Sequence, residues 1–410
     1  MIFYYIFAAV ILLVQLILLL EGYRHLVYTW RTYRVKPSQY QPRAALISPC
    51  KGIDTTFDRN INSFFDLDYP DYEIFFVVQS AEDPAYERLQ EIIAQRQLGA
   101  HSVKARLLVA PEATTCSQKL QNLLTACVQV TDDFEVLAFV DSDACLKPHF
   151  LSSLVHPLRR RDVGAATGYR WYVPTDSRLS SSTLSALNGM VASLLGPHGW
   201  NSTWGGATAI RREIFEKTGV GQAWRHACSD DYALTRMVKK AGLEIIFVPA
   251  CFVASYEQMS WSELFSFARR QFIITRVMMP RLWWMALLGW GHFLAAFWGG
   301  LAVSLTLWCQ GSTGAPYAAI VPGCLVFAAM LRGLARQVMI RKILPEDRDK
   351  LLAPALLDIF LGPLVGIVGL LAVVSAAGTR TIEWRGIKYR LIDLQHTQVV
   401  PAQPTERAEG

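Results

Sequence analysis

Glu135-Val136-Leu137-Ala138-Phe139-Val140-Asp141-Ser142-Asp143 is an apolar run closed by two carboxylates one residue apart. A short, unbroken apolar run suits a strand covered on both faces, and such strands belong to parallel sheets. In open α/β sheets ligands bind beyond the carboxyl ends of the strands, so Asp141 and Asp143 stand where a ligand would be met. Two like charges this close need compensation, from a turn's backbone donors or from a cation. A hard divalent cation takes oxygen ligands from both carboxylates and from a bound phosphate, so the triplet points to a metal-diphosphate site.

The surroundings agree with a sheet. Residues 44–48, 73–79 and 105–110 read as further strands, and residues 57–65, 85–97 and 117–130 carry apolar side chains at helical spacing. Strands alternating with helices of this length predict an α/β domain with a mostly parallel sheet and helices on both faces. Asp83 follows the second strand as Asp141 follows the fourth.

Outside this region the texture is that of a membrane protein. Hydrophobic residues make up 52% of the 410-residue chain, above the range of soluble domains. Residues 2–20 are uncharged and long enough as a helix to span about 30 Å of hydrocarbon. No basic residue precedes them and no small-residue cleavage site follows, so 1–22 reads as a retained N-terminal transmembrane anchor. Residues 282–331 contain no Asp, Glu, Lys or Arg, room for two spans separated at Gln310-Gly311-Ser312-Thr313-Gly314-Ala315-Pro316. Residues 359–379 are a third uncharged stretch. The expected organisation is an anchor (1–22), a catalytic-type domain (43–258), an interfacial segment (259–281), a C-terminal membrane region (282–379) and a tail (380–410).

Arg24, Arg31, Arg34, Lys36 and Arg43 follow the anchor, and the loop 332–350 is also basic, which by the positive-inside rule puts the central domain in the cytoplasm. Arg380, Arg385, Lys388 and Arg390 do not fit this if the last segment crosses. Either the tail is external, or Gly362-Pro363 marks a re-entrant or interfacial segment that returns it. The eight cysteines form no CxxC pair, arguing against a zinc site and a disulfide framework. A net charge of +6, with basic residues clustered near membrane segments, suits anionic lipid headgroups and not nucleic acid.

Two shorter segments suggest contact with the bilayer surface. Trp261, Leu264, Phe265, Ala268 and Phe272 recur at helical spacing with Arg269, Arg270 and Arg276 elsewhere on the wheel, as in an interfacial helix or a core-facing one. Residues 184–195 are uncharged but too short to span, and read as a second interfacial helix.

Four stretches carry a family resemblance: Ser48-Pro49-Cys50-Lys51-Gly52-Ile53-Asp54, Phe64-Phe65-Asp66-Leu67-Asp68-Tyr69-Pro70, the run from Val78-Gln79 to Asp83-Pro84-Ala85, and Glu383-Trp384-Arg385-Gly386. In combination they resemble ceramide glucosyltransferases and their bacterial relatives, within the glycosyltransferase family 2 class. The resemblance implies a type A nucleotide-diphospho-sugar transferase fold, a divalent metal (Mg or Mn), a nucleotide-sugar donor, a lipid acceptor and inversion at the anomeric carbon. Carried over residue by residue, it makes Asp83 a nucleotide ligand, with helix capping before Pro84 as the simpler reading and Glu82 as competitor. Lys119 and Asn122 would lie near the nucleotide, and Asp141 and Asp143 at the metal and diphosphate. Gly205 and Gly206, before an expected helix at 211–218, would line the substrate. In Ser229-Asp230-Asp231-Tyr232, Asp231 corresponds to the general base, and Asp230 is expected to cap the following helix.

One departure stands out. Relatives carry Arg-Trp on the interfacial helix, whereas Ala268-Arg269-Arg270-Gln271-Phe272 has no tryptophan after an arginine. Arg269 or Arg270 remains suited to a diphosphate by guanidinium geometry, but processive synthesis loses support. Two alternatives to single-sugar transfer are a processive polysaccharide synthase and a transporter or scaffold that only binds nucleotide sugar.

Overall fold

The computed structural model describes residues 2–34, 39–98 and 103–400; Lys36 of the basic run and residues 401–410 of the tail lie outside them. The uncharged start forms α1 (Ile2–Thr32), a helix that runs well past the expected end of the anchor. The first half of the sheet follows the apolar runs closely. β1 (Ala44–Pro49) lies between β2 (Tyr72–Val78) and β4 (Val136–Val140), parallel to both, with Ala44 opposite Tyr72 and Val136. β3 (Lys104–Val109) extends the sheet parallel to β2. The connections are α2 (Phe57–Ser63), α3 (Pro84–Gln97) and α4 (Gln118–Gln129). Asp83 caps α3 by accepting from the Ala85 N–H, with Pro84 opening the helix, and Ser117 caps α4 through Leu120, the side-chain chemistry that satisfies orphan N–H groups.

The second half is less visible in the sequence. After α5 (Phe150–Val155) come two long strands, β5 (Val163–Pro174) and β7 (Glu244–Glu257), with the short β6 (Ala207–Arg211) between β4 and β5. The order is β3-β2-β1-β4-β6-β5-β7. β6 runs antiparallel to both neighbours, and β7 is parallel to β5, so the sheet is mostly parallel. The remaining helices of this half are α6 (Leu179–Ala192), α7 (Arg212–Thr218), α8 (Val220–Trp224) and α9 (Asp230–Lys240). The helix expected at 211–218 is α7, and between it and the glycine pair residues 207–211 complete the sheet beside β4 as strand β6. One expectation shifts here. Helix α6 is mostly enclosed: residues 180–189 are all buried, against β5 and the C-terminal helices, and only its ends, at Leu179 and Val191, and Leu194 just beyond are exposed. Its serines and Gly189 permit that closeness, and a Cβ on Gly189 would come within 2.8 Å of the Trp171 ring.

The membrane-directed half begins with α10 (Trp261–Met278), started by a capping box between Ser260 and Glu263. α11 (Pro280–Cys309) and α12 (Ala315–Ile343) follow, and with α1 they are three helices long and apolar enough to cross a membrane. α13 (Leu352–Phe360) and α14 (Gly362–Ser375) are bent by 89° at Leu361. Several polar groups among these helices are paired, as a low-dielectric setting favours. Arg336 and Gln337 bond Asp358, at 2.5–3.0 Å, and Arg332 donates to Gln15 at 2.6 Å.

The tail forms an antiparallel sheet of β8 (Thr381–Trp384), β9 (Ile387–Leu391) and β10 (Thr397–Val400). Ile382, Tyr389 and Leu391 are buried in one core with Leu120, Phe139 and Trp224. The tail sheet therefore packs as one body with the sheet domain, and the bent pair α13–α14 lies between α12 and that tail.

Candidate active site

The site grows from the end of β4. Beyond Val140 the Asp141 N–H donates to the Gly206 carbonyl at 3.3 Å, which sets the acidic triplet directly beside the glycine pair. A Cβ on Gly206 would lie 2.6 Å from Asp141 Oδ2 and 2.2 Å from the Trp204 ring, and one on Gly205 would lie 1.9 Å from Asp230 Oδ2. Glycine is needed at both positions because two carboxylates occupy the space of a side chain.

Those carboxylates are clamped by two cations. Lys119, from the first turn of α4, reaches Asp141 at 2.7 Å and Asp230 at 3.1 Å. Arg170, on β5, spans the triplet, with Nη2 2.8 Å from Asp141 and Nη1 2.9 Å from Asp143. Its guanidinium lies over the Trp204 ring at 4.7 Å and donates to the Tyr172 hydroxyl at 3.2 Å. Burial opposes charge on all of these groups, but Lys119 and Arg170 outweigh it and hold Asp141 below its ordinary value. Asp143 moves the other way: burial raises it, and the neighbouring Asp141 adds to the rise.

Asp231 sits at the start of α9. Its carboxylate accepts from the Ser229 hydroxyl and, at 2.7 Å, from the Tyr232 N–H. Burial, and then the adjacent Asp230, raise it to about 6. The division of labour expected from the sequence is changed here: Ser229 and Asp231 cap the helix, whereas Asp230 turns inward to Lys119 because it alone faces the glycine pair. Among the described residues Asp231 has no cationic partner within ion-pair distance. Tyr232 then joins α9 to α10 through Thr275 at 2.8 Å.

The other sequence candidates separate. Asp83 caps α3 and also accepts from the Gly52 N–H at 2.8 Å, tying together the loops after β1 and β2. Asn122 serves the fold, donating to the Val77 carbonyl at 3.2 Å and accepting from Gln118 at 2.9 Å. Arg269 is exposed and reaches the Ser375 carbonyl at 3.4 Å. Arg270 is half-buried and reaches the Glu383 carbonyl on the tail at 3.4 Å. Burial lowers it below the ordinary arginine value, with Tyr172 opposing and Arg385 assisting.

Three residues were given no site role by the sequence reading, although Arg385 lay in one of the stretches that carry the family resemblance. Arg170 is one; the only charged residue between Val163 and Thr175, it could have been noticed as a charge inside an apolar run. Glu257, at the end of β7, lines a cavity of about 260 Å³ with Asp54, Thr56 and Asp143. Burial, and then Asp143, raise it to about 7. Arg385 occupies the tip of the β8–β9 hairpin with φ 51, beside Gly386 at φ 79, the left-handed pair that a two-residue hairpin turn requires. A Cβ on Gly52 would lie 3.9 Å from its guanidinium, which places the hairpin tip against the loop after β1.

The donor set suits a hard divalent cation. Asp143 Oδ1 is buried without a hydrogen-bond partner, and carboxylate oxygen is the ligand such ions take. Among the described residues no group of three or more His, Cys, Asp or Glu forms a complete cage, so a cation here would draw further ligands from a bound phosphate.

A mostly parallel α/β sheet whose β4 ends in paired carboxylates beside a second acidic pair, accompanied by three helices long and apolar enough to cross a membrane, is the architecture of a glycosyltransferase of the type A fold. Residues 6–396 match the model of glycosyl transferase family 21, and the chain belongs to that family. It is 27% identical over 121 residues to ceramide glucosyltransferase 1 of Caenorhabditis elegans, covering 30% of this chain and 24% of that protein. Ceramide glucosyltransferase 3 of the same organism is 29% identical over 94 residues, covering 23% and 20%. The matched stretch thus spans about a quarter of the length of these curated relatives. Among solved structures, the mannosyltransferase PcManGT of Pyrobaculum calidifontis, in complex with GDP-Man and Mn2+, is 16% identical, covering 90% of this chain and 96% of that one at a TM-score of 0.47.

Proposed function

We propose that this chain is a membrane-bound, inverting glycosyltransferase that moves one sugar from a nucleotide-diphosphate donor, such as UDP-glucose, to the hydroxyl of a lipid such as ceramide, with its catalytic domain in the cytoplasm. The observation that carries the reading is the convergence of Asp141, Asp143, Asp230 and Lys119 around a glycine pair, one helix away from α10 and the membrane region. Asp231 takes the proton of the acceptor hydroxyl. The acceptor oxygen bonds to the anomeric carbon as that carbon's bond to the diphosphate breaks, so a single displacement with one base inverts the configuration. A carboxylate raised to about 6 is ionised near neutrality yet basic enough to share the proton in the transition state. Asp231 suits this role better than Asp230, whose carboxylate is held in an ion pair with Lys119.

Asp141 and Asp143 would hold a Mg or Mn ion, which supplies neutralising charge to the departing diphosphate. Lys119 lies beside them as a further cation, and Arg270 with Arg385 lines the side closed by the tail. Asp83 orders the loop that would meet the nucleotide. The acceptor side is formed by α10 and α6, which bring the sheet domain against the membrane helices.

The test is a purified full-length chain assayed with a panel of nucleotide sugars against lipid fractions, with products identified by mass spectrometry. A lipid bearing one added sugar is expected. Products carrying many sugars would replace the reading with polymer synthesis, and nucleotide binding without transfer to any lipid would reduce the chain to a binding protein.

A further inference from the structure

A second basic site lies away from the catalytic cluster, where the end of α10 meets the tail. A cavity of about 280 Å³ is lined there by Arg276, Pro280, Arg380, Ile392, Asp393 and Leu394. Arg276 donates to the Thr379 carbonyl at 2.5 Å and Arg380 to the Ile392 carbonyl at 2.7 Å. Neither is ion-paired to a carboxylate among the described residues, and the Arg276 Nε–H is buried without an acceptor. Burial, and then the facing Arg380, lower Arg276 below the ordinary arginine value, as expected of two guanidiniums that share a wall. Asp393 lines the same cavity but forms no ion pair with either arginine among the described residues; its carboxylate closes its own turn, accepting from the N–H groups of Gln395 at 2.7 Å and His396 at 2.9 Å and meeting the His396 ring at 2.9 Å. Arg236, which donates to the Leu394 carbonyl at 2.7 Å, adds positive charge to the same corner.

The place of the cavity restricts what anion can fill it. Pro280 is the first residue of α11, a helix suited to crossing the membrane. Ile392 and Leu394 on the rim are exposed, as are Trp284 and Met285 in the next turn of α11. Guanidiniums below an apolar rim at the start of a span match a phosphate whose acyl chains continue into the bilayer. We propose that this cavity binds the phosphodiester headgroup of an anionic lipid in the leaflet on the catalytic-domain side. A phosphate bonded to both arginines would fasten α10 to the tail sheet. That sheet carries Tyr389, whose hydroxyl accepts from the Gln118 N–H beside Lys119, and Arg385 at the hairpin tip, so the bound lipid would hold the tail against the active site.

The full-length chain in mild detergent, examined by native mass spectrometry with phosphatidylglycerol and phosphatidylcholine of matched acyl chains, tests this without reference to sugar transfer. The wild-type chain is expected to retain phosphatidylglycerol about tenfold more than phosphatidylcholine. Arg276→Gln with Arg380→Gln should bring the two to parity, whereas Arg281→Gln, on the neighbouring exposed arginine, should keep the preference. The single Arg380→Gln variant, altered at an exposed side chain, should show a partial loss if the double variant does not fold. No preference in the wild type, or a preference that survives loss of Arg380, overturns the proposal. Displacement of the lipid by millimolar inorganic phosphate assigns the cavity to a soluble anion and overturns it as well.

Discussion

At the residue scale, the site is a balance of buried charges, and its behaviour with pH follows from which carboxylate is left without a cation. Asp231, raised to about 6 by burial and by Asp230, is protonated below that pH and free to accept a proton above it. The kcat/KM for sugar transfer is therefore expected to fall as pH drops through about 6 and to level off toward neutrality; a profile flat down to pH 5 would contradict the role given to Asp231. Asp231→Asn should lower kcat by on the order of 10²–10⁴ while the protein still binds nucleotide. Gly206→Ala would push a methyl group into Asp141 and Trp204, and displacement of the acidic cluster should cost activity on the order of 100-fold, read from initial rates with thermal stability measured in parallel. Asp141 and Asp143 were legible because charged residues at the end of an apolar strand stand out in one dimension, whereas Lys119, on a helix face that reads as solvated, was singled out only through the family resemblance. Arg170 and Glu257 were not legible, because their place depends on which strands pair with which. The capping contact expected of Asp230 falls to Asp231 for a similar reason: the space open to the Asp230 carboxylate is set by Gly205, which comes from another element.

At the element scale, β1, β2 and β4 could be read directly because a strand buried on both faces is a continuous apolar run. β6 is a five-residue piece that is a strand only because β4 and β5 flank it, and α6 was misplaced because small polar side chains look like surface when they serve close packing. The tail sheet is the element whose importance was least visible. It is short and charged, yet it closes the hydrophobic core over α4 and brings Arg385 to the loop after β1. Two substitutions separate these duties. Tyr389→Phe removes the hydroxyl that accepts from the Gln118 N–H at 3.2 Å. It should destabilise the fold by about 1 kcal/mol, seen as a small fall in Tm. Arg385→Ala leaves the core intact and should raise the donor KM by roughly tenfold, the scale of one charge-assisted hydrogen bond, with little change in Tm. If Arg385→Ala left the donor KM unchanged, the hairpin tip would be structural only.

At the scale of the whole molecule, the shared core of tail and sheet domain leads us to propose that both lie on one side of the membrane, with the bent pair α13–α14 entering and returning. Positive-inside bookkeeping was ambiguous because residues 380–390 are basic and the last apolar stretch is long enough to be taken for a span. The 89° bend at Leu361, with Asp358 bonded to Arg336 and Gln337 at 2.5–3.0 Å, turns that stretch into a segment packed on α12. A Cβ on Gly333 would lie 2.6 Å from the Asp358 carbonyl oxygen, so α12 and α13 touch through backbone and the bend is built into their contact. The sheet domain and the C-terminal end should therefore face the same compartment, and the loop between α11 and α12 the opposite one. Epitope tags inserted at Ser312 and appended after Gly410 test this in sealed vesicles of known orientation. The C-terminal tag is expected to be cleaved by added protease only in inside-out vesicles, and the Ser312 tag only in right-side-out ones. If both tags were cleaved from the same face, the bent pair would be a true crossing, and the tail could not remain packed over α4 in the membrane.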